Sequence, residues 1–181
     1  MRATVIRHPI PRLLSGYLDK IDDRKHYWRL SGLEKYVKKH GHPSFPEFVD
    51  LLMKTHPKPV GTDEHFRAQT VRCGTDLRNY DFVARMSNLG PQMKELSESL
   101  GFWAEYVSNG WGENQDMEFG EKSYTKHQTD AVSSVWKYYT KELMEKVYRY
   151  YKDDFDAFGY TLEEILKTKP SNVSTSIDVS L

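Results

Sequence analysis

Near its start the chain reads Thr4-Val-Ile-Arg-His-Pro-Ile-Pro-Arg-Leu-Leu-Ser-Gly-Tyr17, and no other stretch restricts the fold as much. Thr4-Val5-Ile6 is a β-branched run of the kind that forms a buried parallel strand. Pro9 and Pro11 follow, and a proline in the first helical turn gives up only an N–H that has no intrahelical partner. Leu14, Tyr17, Leu18 and Ile21 then recur at three- and four-residue spacing, which predicts a helix with one apolar face. Arg7 therefore falls at the carboxyl end of a strand, and Ser15 within about the first two turns of the next helix. Open α/β sheets bind ligands outside the carboxyl ends of their strands, and helix N-termini favour anions. An arginine at that edge can clamp a phosphate through two parallel N–H bonds, with a serine hydroxyl as a further donor. An ordinary surface ion pair for Arg7 and a neutral helical serine satisfy the same pattern.

Further along, Tyr27, Trp28, Leu30, Leu33, Tyr36 and Val37 space as a second helix, closed by Gly41 and Pro43. Ser44 with Glu47 is a capping box that opens a third helix, with Phe45, Phe48, Leu51 and Leu52 inward. Pro57 to Gly61 is a loop. Tyr80-Asp-Phe-Val83 predicts a second strand, and residues 90 to 100 a helix stopped at Gly101. The stretch from 109 to 126, with Trp111 and Phe119 isolated, reads as a surface loop. Val132, Val135, Trp136, Tyr139, Leu143, Val147 and Tyr150 trace one face of a helix from about Thr129 to Tyr151. From Ser171 the Ser/Thr-rich tail has no periodicity and reads as disordered.

Four segments, in order, resemble the carbohydrate sulfotransferases of the chondroitin, dermatan and HNK-1 type. Val5 to Ile21 is similar to that family's 3′-phosphate-binding segment, Val-Arg-Asp-Pro-Phe-x-Arg-Leu-x-Ser-Ala-Tyr-x-Asp-Lys, with His8 in place of the Asp and Gly16 in place of the Ala. Asp63 to Cys73 resembles His-Trp-x-Pro-Gln-x-x-x-Cys, with Phe66 for Trp and Ala68 for Pro. Tyr80 to Val83 resembles Tyr-Asp-Phe-Ile, and Asp153-Asp-Phe-Asp-Ala-Phe-Gly-Tyr160 the family's Tyr-x-x-Asp-Phe-x-x-Phe-Gly-Tyr ending. Where the family continues Glu-Thr-Leu after the second strand, this chain has Ser87-Asn-Leu89, without the carboxylate.

The resemblance implies a helix-rich α/β fold related to the P-loop nucleotide-binding folds, three-layered around a parallel sheet. It implies a sulfotransferase domain over residues 1–165 and a disordered tail over 166–181. The activity implied is transfer of a sulfonate group from 3′-phosphoadenosine 5′-phosphosulfate to a sugar hydroxyl of a glycan, without a metal. Arg7 and Ser15, helped by Arg12, would bind the donor's 3′-phosphate, with Lys20 adding positive potential. His65, with Arg67 beside it, is a candidate for substrate contact and for the base that takes the hydroxyl proton. The family's donor loop, a basic Gly/Ser/Thr turn before a helix, would lie ahead of Thr4. The expectation is therefore an N-terminally truncated piece or incomplete gene model, inactive by itself. The alternative is a non-catalytic remnant that binds a glycan or a protein partner. Lumenal Golgi placement is implied likewise, with any membrane anchor lying in sequence ahead of Met1.

Composition narrows the rest. At 181 residues the chain has room for one domain with a core. The 26 basic and 26 acidic residues balance, which argues against a nucleic-acid footprint. No apolar run reaches the roughly 18 to 20 residues of a membrane span, and Met1-Arg2 leads into the first strand without a signal-peptide pattern. Cys73 is the single cysteine and has no internal disulfide partner. Asn172-Val-Ser174 fits a glycosylation acceptor. His40, His42, His56 and His65 match no zinc-ligand spacing and read as loop histidines. Tyr148, Tyr150, Tyr151, Phe155 and Phe158 keep helical spacing, so they read as core before they read as a sugar-stacking platform. The absence of Gly-x-x-x-x-Gly-Lys-Ser/Thr argues against a nucleotide kinase.

Overall fold

A computed structural model of the chain describes residues 1–22, 33–104 and 131–169. Tyr27, Trp28 and Leu30 of the expected second helix lie outside the described residues, as do the loop from 109 to 126 and the tail from Ser171 with Asn172.

The architecture is α/β and rich in helix. Strand β1 (Ala3–Ile6) pairs in parallel with β2 (Phe82–Arg85), Ala3 opposite Phe82 and Ile6 opposite Arg85. The parallel sense is as expected, but the burial is not, because within β1 only Ile6 is fully covered and Val5 is exposed. Strand β2 also starts two residues later than its β-branched pattern suggests. Tyr80 N–H closes a tight turn onto the Leu77 carbonyl (3.1 Å) and its hydroxyl donates to the Cys73 carbonyl (3.0 Å). Those bonds take Tyr80 out of the ladder.

Helix α1 (Pro9–Tyr17) is the central element, with Ile10, Leu13, Leu14 and Tyr17 buried. It continues into a wider turn, Leu18–Asp22, that carries Ile21 into the core. Helix α2 (Leu33–His40) ends at Gly41, whose φ of 81° is a left-handed value that glycine adopts without strain. Helix α3 (Phe45–Thr55) follows, and Glu47 accepts from the Ser44 N–H (2.8 Å), the reach-back bond of the capping box, and also from the Ser44 hydroxyl (2.6 Å). Helices α4 (Thr70–Cys73) and α5 (Leu89–Ser99) flank β2, and Gly101 stops the turn after α5 with φ 75°.

The expected single helix from 129 to 151 is broken. Helix α6 (Ala131–Tyr138) ends before Thr140, whose hydroxyl accepts from the Leu143 N–H (3.2 Å) and caps α7 (Lys141–Tyr150). Ala131, Val135 and Tyr139 are buried ahead of the break and Leu143, Met144 and Val147 behind it, while Val132 points to solvent. Helix α8 (Lys152–Phe158) and α9 (Leu162–Leu166) complete the domain, and periodicity had not marked α9. Helix α9 ends at Leu166, and just beyond it the Thr168 hydroxyl accepts from Trp136 Nε1 (3.2 Å).

The core sits between α1 and the α3, α6, α7 and α8 helices. Its tyrosines are half apolar filler and half strut. Tyr17 donates to the Pro43 carbonyl (3.0 Å), Tyr139 to Ile10 (3.0 Å), Tyr150 to His56 (2.8 Å) and Tyr151 to Phe66 (2.5 Å). Such hydroxyls fasten loops onto the helical core while burying their rings. Tyr151, Phe155 and Phe158 are buried, so the core reading of that aromatic run holds.

Candidate functional site

Parallel pairing brings two carboxyl ends to one edge. Ile6 faces Arg85 across the ladder, so Arg7 and Met86 leave the sheet side by side. Both line a cleft of about 460 Å³, closed on its other sides by Arg12 and Ser15 of α1 and by His65 and Arg72. The four site residues expected from sequence, Arg7, Arg12, Ser15 and His65, thus line a single cleft. Lys20 does not line it; its ammonium pairs with Asp19 (2.7 Å).

Local structure explains why Arg7 is aimed there. Gln69 holds the Arg7 backbone from the side: the Arg7 N–H donates to Gln69 Oε1 (2.9 Å) and Gln69 Nε2 donates to the Arg7 carbonyl (2.7 Å). Gln69 is itself fixed by Asp154, which is fully buried and accepts from the Gln69 N–H (2.8 Å), the Thr70 N–H (2.8 Å) and the Thr70 hydroxyl (2.8 Å). A carboxylate at these N–H groups satisfies donors that α4 leaves unpaired at its start. Three sequence segments far apart are locked in series, Asp154 to Gln69 to Arg7. Gln69 and Asp154 both fall on matched positions of the resembled segments, but the sequence assigns neither of them a role.

His8 starts α1. Its Nδ1 accepts from the Ile10 N–H (3.2 Å) and its Nε2 lies 3.0 Å from the Thr161 carbonyl. A carbonyl only accepts, so Nε2 carries the hydrogen. Burial lowers the His8 pKa below its ordinary 6.5; the Thr161 bond and Glu164 pull it upward more weakly, and Arg85 pulls it down. Neutral His8 therefore caps α1 through Nδ1, at the position where the resembled segment has an Asp.

Three arginines, Arg7, Arg12 and Arg72, line the cleft together with the carboxylates of Asp19 and Glu64. Burial, and after it the charge of Arg12, lowers the Arg7 pKa; burial foremost lowers that of Arg12, against the raising effects of Tyr151, Asp154 and Cys73, with Arg72 adding a smaller lowering one. Among the described residues no carboxylate pairs with the Arg7 guanidinium. Two guanidiniums in mutual repulsion and short of water are a receptor for an anion. The lining also includes Val5 and Met86, 44% and 46% exposed, an apolar surface against which a ring could lie. At the mouth, His65 is 40% exposed and its Nδ1 is 2.6 Å from Asp63 Oδ1. The carboxylate accepts, so Nδ1 carries the hydrogen and Nε2 is left as the acceptor nitrogen.

A model described as the sulfotransferase family matches residues 1–161. The chain belongs to that family. It is 25% identical over 174 residues to carbohydrate sulfotransferase 9 of Homo sapiens, covering 88% of this chain and 37% of that protein. It is 28% identical over 96 residues to carbohydrate sulfotransferase 8 of Mus musculus, covering 46% of this chain and 23% of that protein. The human carbohydrate sulfotransferase 8 matches to the same extent over 22% of its length. The chain thus spans about a third of one curated relative and under a quarter of the others. No solved structure matches it.

As a sulfotransferase-family chain it departs from the resembled pattern at Gly16, which lines the cleft, and at Ser87 and Phe66, which do not. Ser87 sits exposed in the turn after β2, beside Met86, where the family segment has a carboxylate. Gly16 and Phe66 depart together, and they touch: a Cβ on Gly16 would meet Phe66 Cε1 at 2.8 Å. Among the described residues no three metal-ligating side chains converge, and His40, His42 and His56 stay apart from the cleft. Cys73 is a free thiol in hydrogen-bond contact with the Thr4 hydroxyl at 3.4 Å. No helix among the described residues is long and apolar enough to cross a membrane.

Proposed function

We propose that residues 1–181 carry the 3′-phosphate half of a carbohydrate sulfotransferase site, whose donor is 3′-phosphoadenosine 5′-phosphosulfate and whose acceptor is a glycan hydroxyl. What supports this reading is the convergence of Arg7, Arg12 and Ser15 in one cleft, with no carboxylate paired to Arg7 among the described residues. Arg7 at the strand end and Ser15 on α1 hold the phosphate, and Arg12 adds charge to the same group. The Val5–Met86 wall receives the flat base. At the mouth, His65, oriented by Asp63, meets the acceptor hydroxyl with its Nε2 and is placed to take the proton as the oxygen attacks sulfur. The lumenal Golgi location implied by the resemblance goes with this reading.

Among the described residues no basic, glycine-bearing loop joins a strand to a helix as the one that holds the donor's 5′-phosphosulfate does in the resembled family. This stretch alone is therefore proposed to bind the nucleotide product without turning over the donor. A non-catalytic role is the second reading, favoured by Ser87 in place of the family's carboxylate. Calorimetry with adenosine 3′,5′-bisphosphate separates the two. Arg7→Ala should cost roughly 2 to 4 kcal/mol of binding, the scale for removing a partner of a desolvated charged hydrogen bond. A folded wild-type chain with no affinity for the bisphosphate supports the second reading.

A further inference from the structure

We infer that Arg72 is a third phosphate-binding guanidinium of this cleft, and that Glu64 is the built-in anion that holds it when no ligand is bound. The inference rests on the nucleotide reading above and adds to it a residue pair that neither the motif resemblance nor the family match assigns.

Arg72 lines the same cleft as Arg7 and Arg12, and so does Glu64. Arg12 acts electrostatically on Arg7 and Arg72 on Arg12, the latter more weakly than Tyr151, Asp154 and Cys73 do. The Glu64 carboxylate pairs with Arg72 Nη2. Both partners are open to water, 57% and 60% exposed, and an ion pair so exposed contributes little. A phosphate monoester offers two charges and three acceptor oxygens, so it outcompetes a single carboxylate for a guanidinium.

The backbones under the pair are fixed. Arg12 Nη2 donates to the Glu64 carbonyl (3.3 Å), and the turn containing Glu64 is closed by the Phe66 and Arg67 N–H groups on the Asp63 carbonyl (2.9 and 2.8 Å). Arg72 rides on α4, whose start is capped by Asp154. Exchange of partners therefore needs only side-chain rotation: Glu64 swings to solvent and Arg72 turns inward to the phosphate. The ligand class is a phosphate monoester carried on a nucleoside.

Calorimetry of the 181-residue chain with adenosine 3′,5′-bisphosphate tests this with Arg72→Ala, Glu64→Gln and the double variant, thermal melting serving as the folding control. Arg72→Ala should weaken binding about tenfold, as for loss of one charge-assisted contact. Glu64→Gln should tighten it about threefold or more, because it releases Arg72. The double variant should match Arg72→Ala within about twofold, since Glu64 acts through Arg72. Equal tightening by Glu64→Gln in both backgrounds would overturn the exchange, leaving Glu64 a mere background charge. If Arg7→Ala abolishes binding while Arg72→Ala changes nothing, this inference fails and the nucleotide site stands. No binding by the folded wild type removes both.

Discussion

Gln69 treats Arg7 as a neighbouring strand would, accepting from its N–H at 2.9 Å and donating to its carbonyl at 2.7 Å. The pairing continues the edge of β1 by one residue through a side chain, and the Arg7 guanidinium inherits its direction from it. Gln69→Leu leaves both backbone groups without this partner in a half-buried place, at a cost of about 1 to 3 kcal/mol of stability. It should also weaken adenosine 3′,5′-bisphosphate binding, although Gln69 does not line the cleft. Urea unfolding and calorimetry on the same variant read the two effects.

Asp154 carries the next link. Asp154→Asn replaces an acceptor of three hydrogen bonds by a group that must turn an NH₂ toward one or more donors. A loss of about 2 to 4 kcal/mol is expected, near the range for breaking a buried charged network. Denaturant midpoints of the two proteins at neutral pH measure it.

His8 gives the fold a dependence on pH. Its folded pKa is lowered from 6.5, mainly by burial, so between the two values the unfolded chain holds the proton and the folded chain does not. Stability from the neutral ring is complete above pH 6.5 and is lost as pH falls through the lowered folded value. His8→Asn keeps an acceptor for the Ile10 N–H and does not titrate. A pH series of unfolding free energies should show this part of the slope in the wild type and not in the variant.

Gly16 is a packing requirement. Its added Cβ would stand 2.8 Å from Phe66 Cε1 and 3.3 Å from Cδ1, and Phe66 is buried against Phe48 with ring centroids 5.0 Å apart. The ring has little room to yield. Gly16→Ala should destabilise by about 1 to 3 kcal/mol despite the better helix propensity of alanine. Phe66→Leu in the same chain should recover part of that loss, and thermal melts of the single and double variants decide it.

Local signals were legible wherever neighbours in sequence are neighbours in space. The strand–Arg–Pro–helix corner, the Ser44–Glu47 box and the stops at Gly41 and Gly101 all needed only local chemistry. The cleft residues Arg7, Arg12, Ser15 and His65 could be named because two motifs carried them, and the Gln69 bonds to the Arg7 backbone join those two segments. Periodicity failed at Thr140, because apolar residues on both sides of a capped break still fall near helical spacing. It was silent about Gln69 and Asp154, which lie 85 residues apart and matter through bonds no local pattern encodes. Arg72 and Glu64 are ordinary surface charges until the turn at Asp63 and the capped α4 bring them to one rim.

The central claim is that Arg7, with Arg12 and Ser15, holds a nucleotide 3′-phosphate. It is tested most directly by the affinity of the wild type and of Arg7→Ala for adenosine 3′,5′-bisphosphate and adenosine 5′-monophosphate, which lacks that phosphate. The wild type should prefer the bisphosphate by roughly 2 to 4 kcal/mol, and Arg7→Ala, still folded, should lose most of that preference. A wild type that binds both nucleotides alike, or an Arg7→Ala chain that keeps the full preference, contradicts the assignment.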